Sequence, residues 1–171
     1  MKNRFLIIFS ILLLLTLSAK AQKFKNSAGF KIGSINGPVY QKHYNDKQAY
    51  EIILGFHNSG MQVYILNEWY KPLSFGQIDD FYLYFGVGGH VGYSKYKRDK
   101  FYYDSSGDII YDYQKDPYYS IGADGIVGIE YRIYEVPLTI GIEYQPLLDF
   151  YGLRYVHFDA SNFQVSIKYI F

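Results

Sequence analysis

The sequence predicts an all-β protein, an eight-stranded antiparallel up-and-down β-barrel that crosses a membrane. Three observations lead to this fold class: the alternation of the last ten residues, a composition rich in aromatic residues and glycine, and an N-terminal segment typical of exported proteins. Together they favour a chain that leaves the cytoplasm and enters a membrane with strands rather than with helices.

The last ten residues carry the clearest strand pattern. Alternate residues of a strand point to opposite faces, so one face of this segment is apolar and the other is almost wholly polar, with Ile170 as the exception. An apolar edge strand at the end of a soluble protein invites aggregation, whereas a strand that closes a membrane barrel is paired and faces lipid. The alternating apolar positions are Phe163, Val165, Ile167, Tyr169 and Phe171.

The composition supports the same conclusion. Aromatic residues make up 20% of the chain, with 21 Tyr and 13 Phe, and there are 16 Gly. After residue 21, no apolar stretch is long enough to form a membrane-spanning helix. Many Tyr and Gly without long apolar runs are typical of alternating strands with aromatic girdles at the membrane interfaces.

Residues 1–21 have the pattern of a secretory signal peptide. Lys2 and Arg4 precede an apolar run, and Ala19-Lys20-Ala21 gives a small-x-small cleavage site before Gln22. The alternative, an uncleaved anchor, is disfavoured because the apolar run is short for a membrane span. We therefore expect a signal peptide at 1–21 and one barrel domain at 22–171, with no lipoprotein anchor because no Cys follows the apolar run.

Charge and cysteine content exclude several classes of function. Three of the 17 basic residues and none of the 16 acidic ones lie in residues 1–21, which leaves a mature net charge of −2. Nucleic-acid binding requires a strong basic excess, so we expect no nucleic-acid partner. The chain has no Cys, so it has neither disulfides nor a thiolate metal site.

The first four strands are predicted at 27–34, 39–44, 49–57 and 61–70, between turns rich in Asn, Gly, Pro and Ser. The second strand alternates poorly, so either of its faces could point outward. In the other three, the outward face is the apolar one, because the barrel exterior meets lipid. This face contains Ala28, Phe30, Ile32, Tyr50, Ile52, Leu54, Phe56, Met61, Val63, Ile65 and Trp69.

The last four strands are predicted at 81–96, 118–133, 136–147 and 162–171. Glycines recur on the inner face of the fifth strand, which suits a narrow barrel. Residues 71–80, 97–117 and 148–161 are predicted to be connections, and 97–117 is the longest. If both termini lie in the periplasm, 97–117 and 148–161 face the cell exterior, where long loops are expected.

The alternating C-terminal strand ending in Phe171 resembles the C-terminal signal of bacterial outer-membrane barrels. In pattern, 22–171 resembles the small eight-stranded barrels of the OmpX and OmpA-barrel type. Ala21 followed by Gln22, and the segment Glu51-Ile-Ile-Leu-Gly-Phe56, are similar to small barrels of Bacteroidota. The resemblance implies outer-membrane localisation, contact with membrane lipids, insertion by the barrel-assembly machinery, and no following peptidoglycan-binding domain.

Charged residues and one histidine occupy the predicted inner face. In a narrow barrel the interior is filled by side chains, and charges removed from water must pair. We expect a structural network of ion pairs and hydrogen bonds that fills the lumen; the alternative is a proton or ion path. The residues are Lys31, Glu51, Glu68, His90, Asp124, Glu130, Arg132, Glu143 and Lys168.

An enzymatic alternative rests on His57-Asn58-Ser59, which resembles the His-x-Ser of an outer-membrane lipid A deacylase. Such an enzyme needs a base beside a nucleophile and a third group that orients the base, and no carboxylate is evidently placed for that role. The four histidines lack metal-ligand spacing. We expect no enzymatic activity, no cofactor and no metal.

The connection 97–117 has strand-forming residues on both sides of a cluster of turn formers at 104–108, so it predicts a hairpin that extends the fifth and sixth strands. The cluster lacks the spacing of a known calcium loop. A protruding, Tyr-rich hairpin is a possible partner-binding surface; the alternative is a lid on the barrel mouth. Its aromatic residues are Phe101, Tyr102, Tyr103, Tyr111 and Tyr113.

The sequence therefore favours a non-enzymatic outer-membrane barrel, either a structural or adhesion-type surface protein or an accessory subunit of an envelope complex. Two alternatives remain: an envelope enzyme that modifies lipid, and a soluble, lipocalin-like carrier of an apolar ligand. The carrier would invert the two faces, with apolar residues inside the barrel and charges in water.

Overall fold

The computed structural model describes residues 25–57, 60–75, 78–103, 109–133, 136–151 and 155–171. The predicted signal peptide and its cleavage site lie outside these ranges. The described residues form strands β1 (Asn26–Gly33), β2 (Gly37–Asn45), β3 (Gln48–His57), β4 (Gly60–Phe75), β5 (Ile78–Tyr103), β6 (Ile109–Ile133), β7 (Leu138–Tyr144), β8 (Leu147–Tyr151), β9 (Tyr155–Asp159) and β10 (Phe163–Ile170).

The strands close into a barrel of eight antiparallel wall strands. Each of β1 to β6 pairs with its neighbour in sequence, and β1 pairs with β10 to close the cylinder. β7 and β8 pair with successive parts of β6, so together they form the seventh wall strand; β9 and β10 form the eighth. The predicted fold class, an all-β, eight-stranded up-and-down barrel, is confirmed.

Alternation along the strands separates two faces. Inward residues are buried, including Lys168 and Glu143, whereas outward apolar residues are exposed. The second strand, whose facing the sequence left open, places Gln41 and His43 inside and Tyr40 and Tyr44 outside. The large apolar residues on the exterior include Phe30, Ile32, Ile52, Leu54, Phe56, Ile65, Val87, Val91, Ile121, Val127, Ile129, Ile140, Ile142, Phe163, Val165 and Ile167.

The prediction of a connection at 71–80 was wrong over most of its length. β4 runs on to Phe75 and β5 begins at Ile78, with Pro72 paired to Tyr82. The backbone N–H of Tyr70 points to the β3 side, where it donates to Lys47, so the nitrogen of Pro72 points to the same side, beyond the start of β3 at Gln48. The missing N–H of the proline therefore costs no ladder bond.

The prediction of a connection at 148–161 was also wrong, because β8 and β9 form a short hairpin there. Its inward positions include Leu147 as well as Asp149, so apolar and polar residues do not alternate cleanly. The predicted hairpin at 97–117 is confirmed: β5 and β6 stay in register from Phe81 opposite Tyr131 to Tyr103 opposite Ile109.

Candidate functional site

The lumen contains two polar clusters separated by apolar side chains. We call the end from which the β5–β6 hairpin extends the upper end. The central cluster consists of Lys31, Gln41, Glu51, Glu68, Tyr70, Glu130, Arg132, Glu143 and Lys168. The upper cluster consists of Gln62, Tyr64, His90, Ser120, Asp124 and Asp149.

Lys31 connects two strands of the central cluster. Its Nζ lies 2.5 Å from Glu51 Oε1 on β3 and 2.6 Å from Glu143 Oε2 on β7. Gln164 Nε2 on β10 donates a second hydrogen bond to Glu143 Oε2 at 3.1 Å. All of these side chains are buried, so removing the ammonium would leave two carboxylates together in a medium of low dielectric.

Lys168 connects the other side of the cluster. Its Nζ lies 3.0 Å from Glu130 Oε2 on β6 and 3.6 Å from Glu51 Oε2, and it donates to Gln41 Oε1 at 3.2 Å. Glu51 is therefore shared between the two lysines. A shared carboxylate couples β1, β3 and β10 across the lumen, which restrains the barrel cross-section.

Glu68 is held mainly by neutral groups. Its Oε2 accepts hydrogen bonds from Gln41 Nε2 at 2.6 Å and from the Tyr70 hydroxyl at 2.9 Å. The Tyr70 ring stacks on Tyr84, with ring centroids 5.0 Å apart. These contacts fill the lumen beside the lysines with aromatic surface and leave little room for a water column.

Arg132 lies at the lower end of the central cluster. Its Nε donates to Glu130 Oε1 at 2.9 Å, and its guanidinium carbon lies 3.7 Å from the centroid of the Tyr82 ring. A guanidinium stacked on an aromatic face is stabilised by the ring quadrupole as well as by its carboxylate partner. Arg132 therefore joins the ionic part of the lumen to an aromatic lining at this end.

His90 is the centre of the upper cluster. Its Nδ1 lies 3.0 Å from Asp124 Oδ2 and its Nε2 lies 2.7 Å from Asp149 Oδ1. Next to it, Gln62 Nε2 donates to Ser120 Oγ at 3.0 Å, and the Tyr64 hydroxyl donates to Gln62 Oε1. The imidazole thus bridges two carboxylates from different wall strands.

Apolar residues separate the two clusters along three wall strands. Leu66 lies between Tyr64 and Glu68 on the inward face of β4, and Ile126 lies between Asp124 and Glu130 on β6. On the seventh wall strand, Leu147 lies between the inward residues Gln145 and Asp149. The inward polar residues are therefore interrupted along these three wall strands, whereas Asn162, Gln164, Ser166 and Lys168 of the eighth are all polar and buried.

The structure places all nine predicted lumen residues inside, but in two groups. His90 and Asp124 belong to the upper cluster and the other seven to the central one. Sequence reasoning missed Gln41, Tyr70 and Asp149, and it did not assign Gln62, Tyr64 and Ser120 to the network. Gln41 lies on the strand of undetermined facing, and Asp149 lies in a segment that was predicted to be a connection, so no alternation was available to place them.

The predicted partner-binding residues lie on the extended hairpin. Phe101 pairs with Tyr111, Asp99 pairs with Tyr113, and Tyr102 pairs with Ile110. The same backbone register sets Tyr103 opposite Ile109, next to the turn. The turn at 104–108 lies outside the described residues.

The predicted assembly signal is strand β10, between β1 and β7. Phe163, Val165 and Ile167 are exposed on the outer surface, and so is Phe171. The backbone N–H of Phe171 donates to Asn26 at 2.9 Å, so the last residue is tied to the start of β1.

Of the residues behind the enzymatic alternative, Asn58 and Ser59 lie outside the described ranges, and His57 ends β3. Within the described ranges, no group of His, Asp or Glu is arranged to hold a metal ion. Those ranges also contain no helix with the length and apolarity to cross a membrane. Comparison with known proteins finds no protein-family model that matches the chain and no curated protein that is significantly similar to it.

Proposed function

We propose that this protein is a non-enzymatic β-barrel of a bacterial outer membrane. It acts as a structural or adhesion-type surface protein, or as an accessory subunit of an envelope complex. The extended β5–β6 hairpin is its partner-binding surface. In this proposal the upper end faces the cell exterior, and insertion uses the C-terminal strand as its recognition signal for the barrel-assembly machinery.

The distribution of polar and apolar side chains carries this proposal. Ile32, Ile142 and Phe163 are 65%, 66% and 61% exposed, whereas Lys31, Glu143 and Lys168 are at most 1% exposed. Large contiguous apolar patches are rare on soluble monomers, because water does not solvate them favourably. A lipid environment makes this surface favourable, and the closed wall leaves little backbone unpaired within it.

The lipocalin-like carrier is not favoured, because it requires an apolar cavity. The lumen holds three cations and four carboxylates in its central cluster, and they contact one another across the barrel. Large side chains such as Tyr64, Tyr84 and Leu66 occupy the remaining space. This interior supports a structural role for the charges, as expected for a barrel of this width.

Localisation tests the membrane part of the proposal. The full chain, expressed with its own residues 1–21 in a Gram-negative host, is expected in the outer-membrane fraction and in solution only after detergent is added. The mature protein should begin at Gln22, which N-terminal sequencing checks. Recovery of folded protein in the periplasmic fraction without detergent would reject the membrane location.

Shortening the β5–β6 hairpin at a pair of directly opposed residues tests its proposed role in partner binding. Asp99 and Tyr113 are paired, so replacing residues 100–112 by Asn-Gly joins them through a two-residue turn. The shortened barrel should fold and reach the membrane, but should lose the partners that the full chain retains after detergent extraction. Equal recovery of the same partners by both chains would show that the hairpin is not the docking surface.

A further inference from the structure

We propose that the lower rim of the barrel binds anionic phospholipids through lysines on the side of the wall formed by β1 to β4. The lower rim is the end opposite the β5–β6 hairpin, and its lysines are Lys25, Lys42, Lys47 and Lys71. The ligand class is a lipid whose headgroup carries a net negative charge on its phosphate. This inference rests on the membrane location proposed above, and it adds which lipids one side of the barrel selects.

The backbone places all four lysines at the lower end. Lys25 directly precedes β1 and Lys47 directly precedes β3, and both of these strands begin at this end. Lys42 lies on β2 opposite Asn26, the first residue of β1. Lys71 is on the lower part of β4, and the backbone N–H of the residue before it donates to Lys47 O at 2.7 Å.

Lys42 and Lys71 point outward from the wall, toward lipid in the proposed location. Lys42 lies between Gln41 and His43, which are both buried in the lumen, and Lys71 follows Tyr70, which is buried as well. Both lysines are exposed. Because residues alternate across a strand, their side chains leave the wall on its outer surface.

The positive charge of these lysines is concentrated on one side of the barrel and is not neutralised there. Among the side chains that the structure describes, the four lysines are every exposed Lys or Arg. Neither Lys42 nor Lys71 forms an ion pair with a described residue. From β1 to β4 the described carboxylates are Glu51 and Glu68, which are buried in the lumen, and Asp46, which is exposed. Four exposed cations therefore accompany one exposed anion.

Aromatic side chains on the same outer surface mark the level at which lipid tails meet headgroups. Trp69 stacks on Phe85 with ring centroids 5.7 Å apart, and Lys71 Nζ lies 5.8 Å from the centroid of the Phe85 ring. On the neighbouring strands, Tyr44 stacks on Tyr50 at 4.8 Å. Trp and Tyr are enriched at membrane interfaces, and a lysine stem covers apolar surface while its ammonium reaches the polar side. The ammonium groups therefore lie where lipid phosphates are.

An anionic phospholipid fits this surface better than a zwitterionic one. A zwitterionic headgroup carries an ammonium of its own, which the lysines repel, whereas an anionic headgroup presents the phosphate without it. Each lysine close to an anionic membrane surface strengthens the attraction about fivefold. In the orientation proposed above, these lipids belong to the periplasmic leaflet.

Energy transfer from Trp69, the only Trp of the chain, tests this surface. The purified protein is folded into phosphatidylcholine vesicles that contain either phosphatidylglycerol or phosphatidylcholine labelled with dansyl on an acyl chain, at equal density. Occupancy next to Trp69 should be about fivefold or more higher for the phosphatidylglycerol probe. Lys42→Gln combined with Lys71→Gln should bring the occupancies of the two probes close to equality.

Three controls separate charge from other effects of substitution. Lys42→Arg combined with Lys71→Arg keeps the charge and should keep the preference for the anionic probe. Asp46→Asn removes the exposed carboxylate and should increase that preference. Added salt should lower occupancy by the phosphatidylglycerol probe in the parent protein without changing occupancy by the phosphatidylcholine probe, because exposed charges are screened.

Insertion into the vesicles is measured separately, as resistance of the folded barrel to added protease. A chain that inserts into neither kind of vesicle would reject the membrane location and this surface with it. Insertion with equal occupancy of the two probes in the parent protein would overturn the lipid surface alone, and would leave an acidic protein as the partner for the lysines. The same loss of preference in the arginine and glutamine variants would also overturn it.

Discussion

Buried charge dominates the energetics at the scale of single residues. Lys31 contacts two carboxylates from strands on opposite sides of it, and the three groups are removed from water. Compared with a well-packed apolar core, such a buried ion-pair network adds little to the free energy of unfolding. Removing one partner is nevertheless costly, because the remaining charges stay buried without water to solvate them. The effect of substituting one lumen residue on stability therefore depends mainly on which charges the substitution leaves buried and unpaired.

Lys31→Met is expected to lower the free energy of unfolding by about 3–5 kcal/mol, because Glu51 and Glu143 lose their shared cation while staying buried. Urea unfolding of the protein in detergent micelles measures this loss. Lys42→Met is the control: Lys42 is exposed on the adjacent strand, so its loss should change stability by no more than about 0.5 kcal/mol. Equal effects of the two substitutions would contradict the buried network.

Inward glycines of β6 set how closely the lumen packs. Gly128→Ala is expected to destabilise the barrel by about 1–3 kcal/mol, because the added Cβ would overlap the Tyr84 ring. At Gly125, which alternation places on the outer face of β6, the added Cβ would meet only Pro146 Cγ, at 3.5 Å, so Gly125→Ala should be neutral or slightly stabilising. Thermal unfolding of both variants measures the difference, and a stable Gly128→Ala variant would show that Tyr84 moves aside easily.

At the scale of whole elements, each wall strand combines an apolar outer face with an inner face that is mostly polar. The wall is uneven, since β1 has 8 residues and β5 has 26. The rim is therefore high at the β5–β6 hairpin and low at β1 and β2. The extended hairpin therefore rises beyond its neighbouring strands, and it is the element to which we assign docking.

Ile142→Arg tests the outer face of β7, where Ile142 is 66% exposed. In a membrane the substitution should cost about 2–4 kcal/mol near the bilayer midplane, because the charge meets hydrocarbon. In water the same exposed change should cost no more than about 0.5 kcal/mol. Folding efficiency into lipid vesicles, compared with a Lys42→Arg control, separates the two; unimpaired folding of Ile142→Arg would contradict a lipid-facing β7.

At the scale of the whole molecule, the barrel is a stack of layers. The central cluster, the apolar residues Leu66, Ile126 and Leu147, and the upper cluster follow one another along the lumen. Groups in one layer share partners across strands, whereas the apolar residues keep the two polar clusters from sharing any described partner. The layers should therefore respond to substitution independently.

This layering is checked with double substitutions. Lys31→Met combined with His90→Gln should lower stability by the sum of the single effects, within about 0.5 kcal/mol, because the two residues share no partner. Lys31→Met combined with Lys168→Met should deviate from the sum by about 0.5–3 kcal/mol, because both lysines contact Glu51. Strong coupling between Lys31 and His90 would argue against separate layers.

The amino-acid sequence by itself determined the fold class, the hairpin at 97–117 and the facing of most wall strands. It could do so because side chains alternate with a period of two and one face is consistently apolar, a property that each strand displays locally. For the same reason, Phe163, Val165 and Ile167 were placed outward without any knowledge of their neighbours.

Only the tertiary structure decided which inward charges meet, how they divide into two clusters, and that residues 148–161 contain a hairpin. Lys31 is 20 residues from Glu51 and His90 is 59 residues from Asp149, so these contacts depend on strand register and on the closure of the cylinder. The register of a closed wall depends on all the strands together, so the alternation of residues within one strand does not predict it.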